Sequence, residues 1–228
     1  MTNAPIAAPT APTGPGTAAG TDVPTNAATA PGTDAPTGRS AAVHVLATGY
    51  TGSTGPGVAA TVTLVTDGDL RIVFDPGMVA HPAVLTDALA ELGLTPDAVT
   101  DVVLSHHHPD NTLNAGLFGR ARVHDHKAVY EGHGWTDREA EGYAFSPSLR
   151  LIATPGHSAE DITLLVGTPD GVVALAGDLW WRADGPAEDP VAIDRALHRS
   201  SRERVLAVAD LIVPGHGAPF VPDATTPR

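Results

Sequence analysis

Four segments of the sequence end a strand-like apolar run with residues that can ligate a metal ion. They read VVLSHHHPDN, LIATPGHSAED, VALAGDLWW and LIVPGHGAPF, and all lie after residue 100. A strand followed by a turn and a single His or Asp can direct ligands from several loops to a common point. The candidate ligands are His106, His108, Asp110, His157, Asp178 and His216.

The first of these segments carries three consecutive histidines. In an extended backbone, the i and i+2 spacing puts His106 and His108 on the same side and turns His107 away. Neutral imidazoles and carboxylates suit Zn²⁺, Mn²⁺ or Fe²⁺, and a catalytic site leaves one coordination position for water or substrate. With His157 as a third nitrogen ligand, the cluster would satisfy that requirement for one ion.

Composition excludes several kinds of site. The chain has no cysteine, so any metal must be held by His, Asp or Glu. Its formal charge of -13 disfavours nonspecific binding to RNA or DNA. No apolar run approaches the roughly 20 residues of a membrane span, and no apolar stretch follows a basic start. We therefore expect a soluble, cytoplasmic protein without a membrane partner.

The length of 228 residues allows one well-packed domain. Residues 1 to about 40 are almost wholly Ala, Pro, Thr and Gly. Such a segment buries too little apolar surface to offset the entropy cost of ordering it. We predict a disordered tail over residues 1–40 and one folded domain over residues 41–228.

Sequence patterns predict strands and helices throughout the folded region. AAVHVLATGY predicts a first strand, and residues 58–74 predict two strands around a turn at residues 67–69. Residues 81–94 carry apolar side chains at helical spacing and end at Gly93. The other predicted strands are DVVLS, ARVHDH, LRLIAT, DITLLV, GVVALAG and DLIVPG, with a helix in 190–207. This order favours packed sheets with helices outside.

The order of the motifs resembles a known superfamily. VVLSHHHPDN, TPGH, AGD and VPGHG are similar to the HxHxDH, distal histidine, bridging aspartate and C-terminal histidine motifs of the metallo-β-lactamase superfamily. TPGHSAEDITLLV, ALAGDLW, EDP, NAGLFGRARV and SSRERVLAVADLIVPGHGAPF resemble the metallo-β-lactamase domain-containing protein 1 family. The resemblance implies an α/β fold of the four-layer αββα sandwich type, with the metal site at the open edge between two sheets.

The resemblance also assigns the ligands to two metal sites. His106, His108 and His157 match the first site, Asp178 matches a carboxylate that bridges two ions, and Asp110 and His216 match the second site. Asn111 stands where the superfamily places another second-site histidine. Because an amide oxygen is a weaker donor to Zn²⁺ than imidazole, we expect one or two Zn²⁺ ions, the second held less firmly. Fe²⁺ and Mn²⁺ remain alternatives.

Two aspartates are candidates for roles beyond ligation. A bound ion lowers the pKa of its water from about 16 to about 7, and the resulting hydroxide attacks a carbonyl or phosphoryl centre. As the catalytic residue, Asp110 would orient that water and move a proton. Asp75, in IVFDPG, is a candidate partner for the other ring nitrogen of a ligand histidine. Its alternative role is that of a turn residue.

Two further groups of side chains have a functional and a structural interpretation. His124 and His126 alternate along a predicted strand, and a structural role is favoured for them. Arg195, Arg199 and Arg202 fall at i, i+4 and i+7, which places them on one helix face. That face could attract phosphate, but a solvated face balanced by nearby acidic residues is favoured.

The leading hypothesis is a metal-dependent hydrolase that uses a metal-activated water on a small ester, lactone, thioester or phosphoester. A second hypothesis, implied by the family resemblance, is an endoribonuclease acting on RNA; the acidic charge counts against it. A third is a mononuclear iron enzyme resembling persulfide dioxygenases of the same superfamily, which a weakened second site would favour. The fourth is a metal-binding protein without activity.

Overall fold

The computed structural model describes residues 34–52 and 57–228. In chain order, its strands are β1 (Ala42–Ala47), β2 (Tyr50–Thr51), β3 (Val58–Ala59), β4 (Val62–Asp67), β5 (Leu70–Phe74), β6 (Asp101–Val103), β7 (Arg122–His124), β8 (Ala128–Glu131), β9 (Gly134–Asp137), β10 (Ala144–Ser146), β11 (Leu149–Ala153), β12 (Ile162–Thr168), β13 (Gly171–Leu175) and β14 (Leu211–Val213). Its α-helices are α1 (Ala83–Glu91), α2 (Pro109–Thr112) and α3 (Arg195–Leu206). Short 3₁₀ turns cover Pro96–Ala98, Ala115–Leu117 and Gly177–Leu179.

The strands form two sheets and a short ribbon. The first sheet has the order β1-β4-β5-β6-β7-β8-β9, the second has the order β10-β11-β12-β13-β14, and β2 pairs with β3. Most neighbours are antiparallel, but β6 is parallel to both β5 and β7, and β14 is parallel to β13. A parallel pair needs a crossover connection. Helix α1 lies in the crossover from β5 to β6, and α3 lies in that from β13 to β14.

Both sheets are buried on two faces, and the side chains alternate between them. Ile72 and Phe74 of β5 belong to the core between the sheets, whereas Val73 packs in the core beneath α1. In β12, Leu164 faces the first sheet and Leu165 lies in the core that includes Val205 of α3. Three apolar cores therefore separate four layers. The predicted αββα sandwich is confirmed.

Helix α3 corrects the prediction of an exposed arginine face. Its N-terminus is capped by Asp194, whose carboxylate accepts hydrogen bonds from two backbone N–H groups. Arg202 is fully buried. Its guanidinium donates to the carbonyl oxygens of Leu179, Pro186 and Ala187. The expectation of a solvated or phosphate-binding face is therefore wrong for Arg202, because this side of the helix packs on the second sheet.

The contacts of the domain begin before the predicted boundary at residue 41. The carboxylate of Asp34 accepts two hydrogen bonds of 2.7 Å from Arg204, which also binds Glu141. The backbone N–H of Gly38 donates to Pro147. Residues 34–40 therefore pack against the sandwich, which composition alone did not indicate. The predicted disorder of residues 1–33 lies outside the described residues.

No helix within residues 34–52 and 57–228 has the length and apolar character needed to cross a bilayer.

The ion pair between Asp34 and Arg204 predicts a pH-dependent stability. The hydrogen bond and charge of Arg204 hold the pKa of Asp34 below its usual value. A lowered folded-state pKa adds stability above the unfolded pKa, and that stability is lost as the pH falls through the folded pKa. Replacing Asp34 by Asn should therefore lower the free energy of unfolding at pH 7 by about 0.5–1 kcal/mol, and the difference should vanish near pH 2.

Urea denaturation at both pH values checks this prediction, with Asp170→Asn as an exposed control on the β12–β13 turn. An Asp34→Asn protein that matches the parent at pH 7 would show that residues 34–40 do not stabilise the domain.

Candidate metal centre

The candidate ligands all follow the C-terminal ends of strands, at one edge of the sandwich. His106 and His108 come after β6, His157 after β11, and Asp178 after β13. One ligand atom from each of these four residues lies within 4.8 Å of all the others. The Nδ1 atom of His108 is 3.0 Å from the Nε2 atoms of both His106 and His157. The structure therefore brings the predicted first-site histidines to one point.

A second group adjoins the first and shares a residue with it. Asp110, Asp178 and His216 place one ligand atom each within 4.8 Å of one another. Asp178 Oδ2 lies 3.4 Å from His157 Nε2 of the first group. Asp178 Oδ1 lies 3.1 Å from His216 Nε2 of the second, and Asp110 Oδ2 is 3.6 Å from that same nitrogen. One carboxylate thus reaches both groups.

Oxygen atoms hold the ring nitrogens that face away from the site. His157 Nδ1 lies 2.6 Å from Asp189 Oδ2, and His216 Nδ1 lies 2.9 Å from the carbonyl oxygen of Ala59. A carbonyl or carboxylate oxygen only accepts, so both Nδ1 atoms carry the proton. When these rings are neutral, Nε2 carries the lone pair and faces the site, which is the state that binds a metal ion.

His106 is oriented in the same way through a serine. The Ser105 hydroxyl donates to Asp75 Oδ2 at 2.7 Å, so it accepts from His106 Nδ1 at 2.9 Å. Asp75 Oδ1 also accepts from the backbone N–H of Ser105. Asp75 was a candidate partner of a ligand histidine or a turn residue, and the structure places Ser105 between Asp75 and His106. Asp75 adopts a left-handed backbone with φ of 48°, unusual for a non-glycine residue, in the turn that follows β5.

Asn111 is fully buried beside this network. Its amide nitrogen donates to Asp75 Oδ2 at 3.2 Å. Its amide oxygen has no hydrogen-bond partner in the described part of the chain. A buried polar atom without a partner is costly, and an ion or an ordered water would satisfy it. The donor atoms of this centre therefore fit a metal ion, and Asn111 offers it an oxygen rather than an imidazole.

The charges of the site favour a cation between these groups. Burial lowers the pKa of His106 to about 3, so its imidazole is neutral and can ligate. Burial alone would raise the pKa of Asp178, but the His216 hydrogen bond and the surrounding histidines hold it below its usual value. Burial would likewise lower the pKa of His216, but Asp178 raises it to about 9. A divalent cation would displace the proton that His216 shares with Asp178.

Two glycines allow the backbone to approach the carboxylates closely. A Cβ at Gly77 would overlap the carbonyl oxygen of Asp110. That oxygen accepts a hydrogen bond from the N–H of Met78, which fixes the turn carrying Asp110. A Cβ at Gly215 would overlap Asp178 Oδ1. Side chains at either position would push a carboxylate away from the histidines.

Asp189 and His198 lie beside the site and were not singled out from the sequence. Asp189 holds His157, and His198 of α3 lies 3.8 Å from Asp189 through a buried ring nitrogen. Trp181 meets the ring of His216 edge to face at 6.3 Å. The EDP segment that contains Asp189 contributed to the family resemblance, but nothing in its spacing indicated a contact with a histidine 32 residues earlier.

His124 and His107 lie where the sequence analysis expected them. His124 is buried, and its Nε2 lies 2.8 Å from Asp101 Oδ1, as expected of a structural histidine. The side chain of His107 points away from the centre and is 45% exposed.

Comparison with known proteins identifies the family. Residues 55–147 match the metallo-β-lactamase superfamily. Metallo-β-lactamase domain-containing protein 1 of Xenopus laevis is 35% identical over 193 residues, which cover 80% of this chain and 82% of that protein. The chain belongs to the metallo-β-lactamase superfamily. Within the superfamily it falls in the family of metallo-β-lactamase domain-containing protein 1, as the motifs predicted. The human protein of that name is 40% identical over 157 residues, which cover 65% of this chain and 59% of its own length.

Solved structures share the fold at lower identity. A metallo-β-lactamase-like protein of Thermotoga maritima has a TM-score of 0.64 and 24% identity, covering 81% of this chain and 100% of its own. TTHA1623 in a di-iron-bound form has a TM-score of 0.57 and 21% identity, over 73% of this chain and 91% of its own. A quorum-quenching N-acyl homoserine lactone lactonase has a TM-score of 0.54 and 22% identity, over 80% and 90%. These likenesses establish the hydrolase fold of the superfamily.

The bond from His157 to Asp189 predicts an effect on metal affinity. Replacing Asp189 by Asn removes the charge that orients and polarises the imidazole, so the first-site ion should bind about 10–100-fold more weakly. Competition with a zinc chelator measures this, and the thermal midpoint of the metal-free protein checks the fold. Asp184→Asn, whose side chain is 79% exposed, is the matched control. Equal affinities for parent and Asp189→Asn would mean that Asp189 does not position His157.

Proposed function

We propose that this protein is a metal-dependent hydrolase with a two-ion centre that cleaves small esters or lactones. One observation carries the proposal: the two groups of ligands share the carboxylate of Asp178. Its Oδ2 lies 3.4 Å from His157 Nε2, and its Oδ1 and Oδ2 lie 3.1 and 3.2 Å from His216 Nε2. A carboxylate shared in this way suits a pair of ions about 3.5–4 Å apart. When bound, the ions supply an acidified water and a polarised carbonyl.

Asp110 is the proposed catalytic residue. Its side chain is 22% exposed, and its Oδ2 lies 3.6 Å from His216 at the solvent side of the second group. An ionised carboxylate in that position can accept the proton of the attacking water and pass it to the leaving alkoxide. The turn around Gly77 holds the backbone of Asp110, so the carboxylate needs little reorganisation during the reaction.

Zinc is the proposed ion. The donor atoms are imidazole nitrogens and carboxylate oxygens, without a thiolate, and such a set suits Zn²⁺ or Fe²⁺. Iron is the alternative ion, since TTHA1623, which has the same fold, has a di-iron-bound form. Asn111 donates through its Nδ2 to Asp75, so only its oxygen is left for an ion. The second ion should therefore bind more weakly than the first.

Apolar side chains near the ligand loops favour an acyl substrate. Ile193 is 66% exposed, and its backbone N–H donates to the carbonyl oxygen of His157. Leu113, which is 65% exposed, ends the helix that carries Asp110. Together with Trp181 beside His216, these residues offer contacts to an acyl chain. The N-acyl homoserine lactone lactonases with the same fold support this substrate class.

The other hypotheses have less support. Ribonuclease activity would be helped by a cationic surface, but Arg202 is buried and the chain carries a net charge of -13. A mononuclear iron enzyme would not need the second group formed by Asp110, Asp178 and His216. A protein without activity would not need two sets of converging ligands.

Hydrolysis assays on the zinc-loaded protein test the proposal. We expect turnover of an N-acyl homoserine lactone and of a p-nitrophenyl ester, and much slower cleavage of bis-p-nitrophenyl phosphate and single-stranded RNA. Asp110→Asn should lower kcat by about 10²–10⁴-fold with an unchanged thermal midpoint, whereas Asp87→Asn on α1 should match the parent. Inactivity of both the zinc-loaded and the iron-loaded protein on all four substrates would overturn the hydrolase proposal.

A separate prediction concerns Asn111. Replacing it with His supplies an imidazole at the position where the superfamily has one, so the affinity for the second ion should rise by at least 10-fold. Calorimetric titration with Zn²⁺ measures the two binding steps for both proteins. Asn114→His, at a partly buried position one helical turn later, is the control. Tighter binding in the control alone, or identical second steps in parent and Asn111→His, would contradict the assignment.

A further inference from the structure

A third group of metal-ligating side chains lies outside the centre described above. His107, Asp125 and His126 place one ligand atom each within 4.8 Å of one another. None of them belongs to the two groups that share Asp178. They come from two loops, because His107 follows β6 whereas Asp125 and His126 connect β7 to β8. The fold therefore brings together a third group of metal-ligating side chains, which the proposed hydrolase does not use.

A glutamate orients the imidazole of His107. Glu160 Oε1 lies 2.8 Å from His107 Nδ1 and also accepts from the backbone N–H of His107 at 3.1 Å. With Nδ1 held by Glu160, Nε2 is the ring nitrogen of His107 that faces Asp125. In most metal-bound histidines, the ring nitrogen that does not bind the metal is hydrogen-bonded to a carboxylate, a carbonyl oxygen or water.

The carboxylate of Asp125 has one acceptor position to spare. Its Oδ1 accepts from the backbone N–H groups of Lys127 and Ala128, and its Oδ2 accepts from the hydroxyl of Tyr130 at 2.6 Å. A carboxylate has about four acceptor positions, so three are filled. The remaining one is on Oδ2, which lies 3.4 Å from His107 Nε2. These bonds hold the carboxylate rigidly.

His126 adds a nitrogen that lacks a hydrogen bond. Its Nδ1 is buried and has no hydrogen-bond partner among the residues that the structure describes. Glu160 Oε2 lies 3.9 Å from His126 Nδ1, which is too far for a hydrogen bond. The rings of His107 and His126 are 6.1 Å apart between centroids. A metal ion between these side chains could bind His126 through Nδ1 or through Nε2.

We propose that His107, Asp125 and His126 form an accessory site for a divalent transition-metal ion, with Zn²⁺ as its best fit. Two imidazoles and a carboxylate are a donor set that zinc prefers, with water completing the tetrahedron. Ligand atoms about 2.0–2.2 Å from zinc lie about 3.3–3.6 Å apart, and the distance from His107 Nε2 to Asp125 Oδ2 falls in that range. Glu160 is the positioning residue for His107.

Such an ion would connect the loop that carries two main-centre histidines to the β7–β8 turn. His107 is the residue between His106 and His108, so a bound ion restrains the backbone that presents both. Occupancy of the accessory site should therefore raise the thermal midpoint. It should do so even when the main centre cannot bind its normal complement of metal.

Zinc content at controlled free zinc concentration tests this proposal. The parent, His126→Gln and an exposed control, His133→Gln, are equilibrated at micromolar free Zn²⁺, and zinc per chain is measured by elemental mass spectrometry. We expect His126→Gln to bind one ion fewer than the parent and His133→Gln to match the parent. Glu160→Gln should weaken the same ion by about 10–100-fold.

A further variant separates this site from the main centre. Asp178→Asn should lose zinc from the main centre but keep the ion that His126→Gln loses, and the imidazole ¹⁵N resonances of His107 and His126 should still shift when zinc is added. Equal zinc content in the parent and His126→Gln would overturn the proposal. An equal loss in His133→Gln would overturn it as well.

Discussion

The buried carboxylate of Asp178 is the constraint on which the site depends. It lies on a 3₁₀ turn after β13, almost without solvent, among three histidines that approach it from other strand ends. A buried charge is costly unless it is paired and hydrogen-bonded. Here His216 Nε2 lies within 3.2 Å of both oxygens, and His157 Nε2 lies 3.4 Å from Oδ2. The arrangement needs positive charge between these groups, and a bound metal ion would provide it.

The surrounding structure serves to hold the histidines in one protonation state. Asp189, the Ala59 carbonyl and the Ser105 hydroxyl each fix a ring nitrogen that faces away from the centre. These oxygens come from strand β3 and from two loops that are far apart in the sequence, so their positions depend on the packing of the whole domain. Glycines at positions 77 and 215 let the backbone come close enough to complete the site.

The sequence predicted the part of the site that local patterns encode. His106, His157, Asp178 and His216 could be found because each follows an apolar strand and a short turn, and strand ends meet at one edge. Asp189 could not be found, because its contact with His157 depends on tertiary packing alone. The helical spacing of Arg202 placed it on a face, but spacing does not show whether that face is buried. The contact of Asp34 with Arg204 could not be predicted from composition, because the two residues are 170 positions apart in the sequence.

X-ray absorption at the zinc edge tests the shared carboxylate most directly, on parent protein and on His126→Gln, each loaded with zinc to saturation. The account predicts ligation by nitrogen and oxygen alone and a zinc–zinc vector of about 3.5–4 Å in both proteins. The vector should be lost in Asp178→Asn, which loses zinc from the main centre. Fully loaded parent protein without any zinc–zinc scattering would show that the two ligand groups do not hold a bridged pair, and would contradict the account.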